Sequence, residues 1–175
     1  MSIEKLILLH GLRPADAVEL VCPANGFPKH YAVYLGLIKG YPSFIANIQE
    51  GVKIIRGSEL LSFVERYGIT KVERHWGTDS RRAAIIRRAM SRIGEKEYHI
   101  IFNNCEHFKN WVLYGESKSH QVKKIAEGLF VTGAALSLIG LATKKKGLQK
   151  AGLIVMASPL IIVAIAFIIA SIKKN

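Results

Sequence analysis

The chain has 175 residues and a formal charge of +12, from 25 Lys and Arg against 13 Asp and Glu. That length suits one domain of ordinary size with an appendage, and two cysteines, Cys22 and Cys105, exclude a disulfide framework. All 13 acids fall in residues 1–127, whereas residues 128–175 hold six lysines and no acid, so body and tail are different materials. Nothing near the N-terminus resembles a secretory signal, because the apolar run at 6–9 is short and preceded by Glu4. Both thiols are therefore expected to be free, in a reducing compartment.

Residues 17–22 alternate as a strand after the turn Arg13-Pro14-Ala15-Asp16. Cys22, at the strand end, reads as a packed small residue. Residues 30–35 form a second strand, closed by Gly36. Period two puts His30, Ala32 and Tyr34 on one face and Tyr31, Val33 and Leu35 on the other. After a turn at Gly40-Tyr41-Pro42, residues 43–48 return with Ser43, Ile45 and Asn47 on one face. Gly51 punctuates, and 52–55 make a third short strand, completing an antiparallel meander. Ser58 is the expected N-cap of a short helix over 59–66, which ends near Gly68. Residues 69–74 read as another strand. Thr78-Asp79-Ser80 offers caps for a helix over about 81–93. In that helix Ile86, Met90 and Ile93 make an apolar stripe, and Arg81, Arg82, Arg87, Arg88 and Arg92 load the other faces. A strand at 98–102 follows, then a helix from Cys105 that buries Phe108, Trp111 and Val112. A further helix, about 117–127, leads to the tail.

The tail carries the clearest physical signal. Residues 151–172 hold no charge for 22 positions. As a helix that stretch spans roughly 33 Å, enough for a hydrocarbon core of about 30 Å. Pro159 lies inside it, which membrane helices tolerate better than soluble ones. Residues 128–142 are also uncharged but number only 15, so they read as half of a hairpin or an interfacial helix. Lys144-Lys145-Lys146 between the two stretches suits anionic headgroups.

The chemistry concentrates in Asn103-Asn104-Cys105-Glu106-His107-Phe108. Cys105 stands where a strand stops and a helix begins. The unpaired N–H groups and positive dipole end there favour an anion. The thiol is therefore expected to ionise more readily than a free one, and the thiolate is the nucleophile. The bland alternative is a packed small hydrophobe. A thiol nucleophile needs a base, and a third polar group to orient the base. His30, held on a strand, is the candidate base. Asn47, on the neighbouring strand, is the candidate orienting residue. A zinc site built from His30, Cys105 and His107 lacks structural zinc spacing, so neither metal nor cofactor is expected. His107 reads as a cap or supporting residue, and His75 and His99 as structural. The arginine-rich helix lacks interleaved aromatics, which favours phospholipid headgroups over nucleic acid as its anionic partner.

The blocks His30-Tyr31-Ala32-Val33-Tyr34-Leu35-Gly36 and 103–108 resemble the two signature blocks of the lecithin:retinol acyltransferase-like family. That family includes the H-Ras-like suppressor phospholipase/acyltransferases and belongs to the permuted papain-like thiol hydrolases, in which His precedes Cys along the chain. Gly51-Val52, the basic stretch 81–89 and residues 93–98 are similar as well, and the resemblance covers about residues 14–125. It implies an α+β, permuted papain-like catalytic domain over 1–127, with a central antiparallel sheet and packed helices. A hydrophobic tail, 128–175, would follow, with a transmembrane helix at 151–172 and 128–142 as a second membrane segment. The resemblance also implies that Cys105 takes an acyl chain as a thioester and that His30 is its base. Many members carry a second histidine as the third polar residue. Here none occurs between His30 and His75, and Asn47 stands near that place, in a role asparagine fills in papain-like enzymes. The expected activity is phospholipase A1/A2 or acyl transfer on glycerophospholipids at a membrane, without cofactor, from a domain on the cytoplasmic side. A thiol peptidase or amidase of the same fold, or a membrane-anchored interaction or remodelling protein with an idle thiol, are the other readings.

Overall fold

The structure is a computed structural model that describes residues 3–21, 29–99 and 103–172, with 166–172 described as backbone alone. Cys22 and residues 100–102 lie outside the described residues. The meander forms as expected: β1 (Ala17–Val21), β2 (Lys29–Ile38), β3 (Tyr41–Ile48) and β4 (Gly51–Arg56). With β5 (Gly68–Glu73) they make one antiparallel sheet in the order β4-β3-β2-β1-β5. Helices α1 (Ile3–His10), α2 (Gly57–Arg66), α3 (Asp79–Met90) and α4 (Cys105–Tyr114) accompany it, so the mixed α+β class is the observed one.

Local chemistry explains the boundaries. The β2–β3 hairpin turns at Lys39-Gly40, both at positive φ (52° and 81°), a two-residue geometry whose twist matches the strands. Pro42 therefore falls inside β3, paired with Leu37, rather than in the turn. Gly51 opens β4 at φ 106°, and a Cβ there would lie 2.2 Å from the Glu95 carbonyl oxygen, which accepts the Val52 N–H at 2.8 Å. Thr78 caps α3 by accepting from the Arg81 N–H, as its sequence position predicts. Helix α2 starts two residues earlier than expected, at Gly57, and its cap position is Arg56 rather than Ser58.

Alternation divides the core into two layers. On one face Val33, Ile45 and Val52 pack with Ile85 and Ala89 of α3 and with Phe108 and Val112 of α4. On the other, Val18, Leu20, Ala32, Tyr34 and Phe44 pack with Leu6 of α1 and Leu60 of α2. The buried stripe of α3 is Arg82, Ile85 and Ala89, not Ile86, Met90 and Ile93, and Met90 and Ile93 are exposed. The register moves because Arg82 goes inside. Its guanidinium donates to the Asp16 carboxylate at 3.0 Å and to the carbonyls of Pro14 and His75, so its aliphatic stem can line the core.

The chain divides into two compact units, residues 1–119 and 120–175. In the second, α5 (His120–Ala142) and α6 (Lys146–Ile172) form a helical hairpin. The stretch expected as a separate helix at 117–127 is largely the start of α5. Both helices are long and apolar enough to cross a membrane, over His120–Ala142 and Lys146–Ile165. Their backbones touch at small residues. A Cβ on Gly133 would lie 2.3 Å from the Met156 nitrogen, one on Gly140 2.3 Å from the Gln149 nitrogen, and one on Gly152 2.4 Å from the Ser137 nitrogen. Small residues at such spacing are what close helix packing in lipid requires.

Candidate active site

The Cys105 thiol sits where the sheet opens. The β2–β3 ladder begins at Val33↔Ile45, which leaves the β3-facing edge of β2 unladdered at 29–31. Helix α4 brings its first residue to that edge. Cys105 Sγ lies 3.7 Å from the Lys29 carbonyl oxygen, to which it donates, and the Tyr31 backbone N–H donates to the sulfur. These two backbone groups flank His30 along the strand.

The presentation of the thiol depends on Asn104. Asn104 is the N-cap, in extended conformation, and its Oδ1 accepts from the Glu106 and His107 N–H groups at 3.0 Å each. His107 Nδ1 donates to the same oxygen at 3.0 Å. Asn104 rather than His107 thus caps the helix. The sequence signal was an asparagine directly before a helical run; His107 supports the cap through its ring. At the other end Gly115 stands in the left-handed region (φ 78°), and Arg88 donates to the Val112 carbonyl at 2.9 Å, which satisfies the last turn.

The expected easy ionisation is not what this environment gives. Cys105 is only 4% exposed. Burial pushes its thiol up to about 11, the neighbouring Glu106 carboxylate adds to the rise, and the backbone N–H groups of Tyr31, Glu106 and Cys105 oppose it without prevailing. Removing a thiolate from water outweighs a helix N-terminus here. The thiol is therefore protonated at neutral pH.

His30 and Asn47 lie on opposite faces of the sheet. The pairing Val33↔Ile45 places Asn47 on the side of Tyr31 and Val33, the α4 side. The His30 ring lies on the α2 side, with ring centroids 4.6 Å from Tyr67 and 5.8 Å from Phe63. Burial and the Arg66 charge hold its pKa below the usual 6.5, so the imidazole is neutral and able to accept a proton at pH 7. Asn47, 1% exposed, donates from Nδ2 to the Asn103 carbonyl at 2.8 Å. It therefore grips the turn that delivers Cys105 and does not touch His30. Its Oδ1 is buried without a hydrogen-bond partner among the described residues.

Charged groups brace the same end of the sheet. Glu19 accepts from Lys29 Nζ at 2.9 Å and from the Tyr31 hydroxyl at 3.0 Å, tying β1 to β2. Lys109 of α4 donates to Glu73 of β5 at 2.6 Å and lies 5.0 Å from the Tyr31 ring centroid. Among the described residues no cluster of three or more His, Cys, Asp or Glu is arranged to hold a metal.

Sequence comparison agrees with this architecture. A family model described as lecithin retinol acyltransferase matches residues 11–118, spanning both the His30 strand and the Cys105 helix. The mouse and human proteins named phospholipase A and acyltransferase 3 are each 30% identical to this chain, over 158 and 159 residues, covering 79% of it and 94% of their own length. The rat protein named phospholipase A and acyltransferase 1 is 25% identical, covering 79% of this chain and 91% of its own. A family model over more than half the chain, joined to relatives matched over most of their length, settles the kinship: the chain belongs to the lecithin retinol acyltransferase family.

Proposed function

We propose that the protein is a membrane-anchored thiol phospholipase and acyltransferase acting on the acyl esters of glycerophospholipids. The observation that carries the reading is the Cys105 thiol, presented by a capped helix at the open edge of β2 beside the backbone of His30. The names of the phospholipase A and acyltransferase relatives support the substrate class. His-before-Cys order and this strand–helix pairing support the permuted papain-like assignment.

The reaction begins with a rotation of His30 about χ1, out of its contact with Tyr67 and toward the sulfur that lies along its own strand. The imidazole takes the thiol proton as Cys105 Sγ bonds to the acyl carbonyl carbon. The charge that develops on the carbonyl oxygen is met by the Cys105 backbone N–H, which the Asn104 side chain does not use. The ester C–O bond then breaks, the lysophospholipid leaves with the proton from His30, and the acyl chain remains on Cys105 as a thioester. Water, or an amine or hydroxyl acceptor, gives a proton to His30 and attacks the thioester, and the thiol is restored. Asn47 serves by holding the Asn103 carbonyl, which orients the nucleophile's turn rather than the base.

The hairpin α5–α6 supplies the anchor, holding the domain beside an insoluble substrate. The domain lies on the cytoplasmic side of the bilayer, where a thiol stays reduced. The test is purified full-length protein in vesicles of acyl-labelled phosphatidylcholine. Wild type is expected to release or transfer the label, and Cys105→Ala to do neither. Activity on peptide amides with none on lipid esters would select a thiol amidase instead.

A further inference from the structure

The strand that carries His30 and the helix that carries Cys105 are joined by a closed ring of contacts. Lys109 Nζ of α4 stands 5.0 Å from the centroid of the Tyr31 ring, a cation–π distance. The Tyr31 hydroxyl donates to Glu19 Oε2 at 3.0 Å. Glu19 Oε1 accepts from Lys29 Nζ at 2.9 Å and from Thr70 Oγ1 at 3.0 Å. The Lys29 carbonyl oxygen in turn receives the Cys105 thiol at 3.7 Å. Cys105 and Lys109 lie one turn apart on the same face of α4, which closes the ring.

The strand segment inside this ring is weakly held by its own backbone. Residues 29–31 pair with β1 through Val21↔Lys29, Leu20↔His30 and Glu19↔Tyr31. On the β3 side the first rung among the described residues is Val33↔Ile45, and the β1–β5 register shifts between Glu19 and Leu20. A strand end bonded along one edge opens more readily than one bonded along both. Lys109 is 5% exposed, and its Nζ lies 2.6 Å from Glu73 Oε2. The other Glu73 oxygen accepts from the Tyr114 hydroxyl, also of α4. An apolar side chain would fill a buried place at a smaller desolvation cost. What the lysine adds is reach: its charge meets the Glu73 carboxylate of β5 and the Tyr31 ring of β2 together.

We propose that Lys109 is a positioning residue, which by holding the Tyr31 ring fixes the strand segment that carries His30 against the turn of α4 that carries Cys105. The inference rests on the reading of His30 as the base that takes the Cys105 proton. The swing of His30 pivots on its own Cα, so the point its ring reaches is set by where the backbone of 29–31 stands. With Lys109 in place, Tyr31 is held at both ends, by its ring and by its hydroxyl. Without that charge the hydroxyl alone is held, and the pivot of the base shifts against the sulfur although both reacting groups remain.

The experiment follows alkylation of Cys105 by iodoacetamide at neutral pH, on the full chain carrying Cys22→Ser in detergent micelles. Cys105 Sγ displaces iodide from the reagent's methylene carbon as the thiol proton passes to His30. Lys109→Met and His30→Ala are compared singly and together with their parent. Misplacement by about 1 Å is able to cost roughly 100-fold in an oriented reaction, so Lys109→Met is expected to slow alkylation about 10-fold or more. Once His30 is alanine there is no base to misplace, and adding Lys109→Met is expected to change the rate by less than about two-fold. Lys109→Met joined to Glu73→Met replaces the ion pair by apolar groups, which is expected to hold Tm at the parent's value or above while the rate stays low. Equal losses with and without His30, a parent-like rate in Lys109→Met, or a rate restored by Glu73→Met would each overturn the proposal. Fatty acid release from phosphatidylcholine vesicles is read beside these rates, and Lys109→Met is expected to lower kcat about 10-fold with KM within about two-fold. A parent protein that shows the His30-dependent coupling but releases no fatty acid sinks the phospholipase reading while the positioning role stands.

Discussion

Replacement of Asn104 by alanine tests how the helix that begins at Cys105 is built. The Oδ1 atom accepts three hydrogen bonds, from the N–H groups of Glu106 and His107 and from His107 Nδ1, all at 3.0 Å. Loss of an N-cap costs about 1 kcal/mol, within about 0.5–2. His107 is 8% exposed, and a buried ring N–H without an acceptor costs a further 1–3 kcal/mol or so. Asn104→Ala should therefore destabilise the first unit by about 2–4 kcal/mol, a fall of roughly 8–20 °C in Tm for a domain of this size. Asn104→Asp keeps the acceptor and places its charge at a helix N-terminus, where it is favourable, so its stability should stay within about 1 kcal/mol of wild type. Trp76 and Trp111 are the only tryptophans and both lie in the first unit. Tryptophan fluorescence during thermal unfolding of the full chain in detergent micelles thus reads that unit alone. An alanine variant within about 0.5 kcal/mol of wild type, or an aspartate variant that falls as far as alanine, would refute the capping argument.

Asp16→Ala leaves the Arg82 guanidinium buried without its carboxylate and should cost about 3–5 kcal/mol by the same fluorescence measurement; a loss under about 1 kcal/mol would mean that the charge is not buried as described. The acid limb of the pH–activity profile should lie below pH 6.5, because burial and the Arg66 charge disfavour the His30 imidazolium, and the base works only when unprotonated. Arg66→Gln removes that repulsion, so the folded pKa rises and activity is lost at a higher pH than in wild type; an unmoved or lowered limb counts against His30 as the base. In the second unit, Gly133→Leu forces a side chain into the Met156 backbone. It should lengthen the distance between nitroxides placed at Val131 and Leu160 in a cysteine-free background, and an unchanged distance would mean that the glycines do not set the helix packing.

Strand alternation and turn residues were legible from sequence wherever the chain obeys local rules. The meander, the Thr78 cap and the start of a helix at Cys105 all follow from nearest neighbours. What the sequence misplaced depends on contacts distant along the chain. The inward register of α3 is set by Asp16, some 66 positions before Arg82 reaches it, and a polar partner so far away turns an arginine into a core residue without any change of period. The side occupied by Asn47 depends on strand register, where a shift of one residue exchanges the two faces. The position of Cys105 at a helix N-terminus was legible, but its ionisation was not, because burial is a tertiary property and outweighs the dipole here. The length of α5 was underestimated because Lys123, Lys124 and Glu127 interrupt the apolar pattern, although Lys123 and Glu127 pair within the helix at 3.7 Å.

The most direct test of the account is mass spectrometry of the Cys105 peptide after brief incubation of the full-length protein with phosphatidylcholine vesicles and rapid acid quenching. The account predicts the added mass of one fatty acid less water on Cys105, labile to neutral hydroxylamine as a thioester is, and absent from His30→Ala. Fatty acid release that proceeds at the wild-type rate in Cys105→Ala, with no acyl group ever found on Cys105, would contradict it.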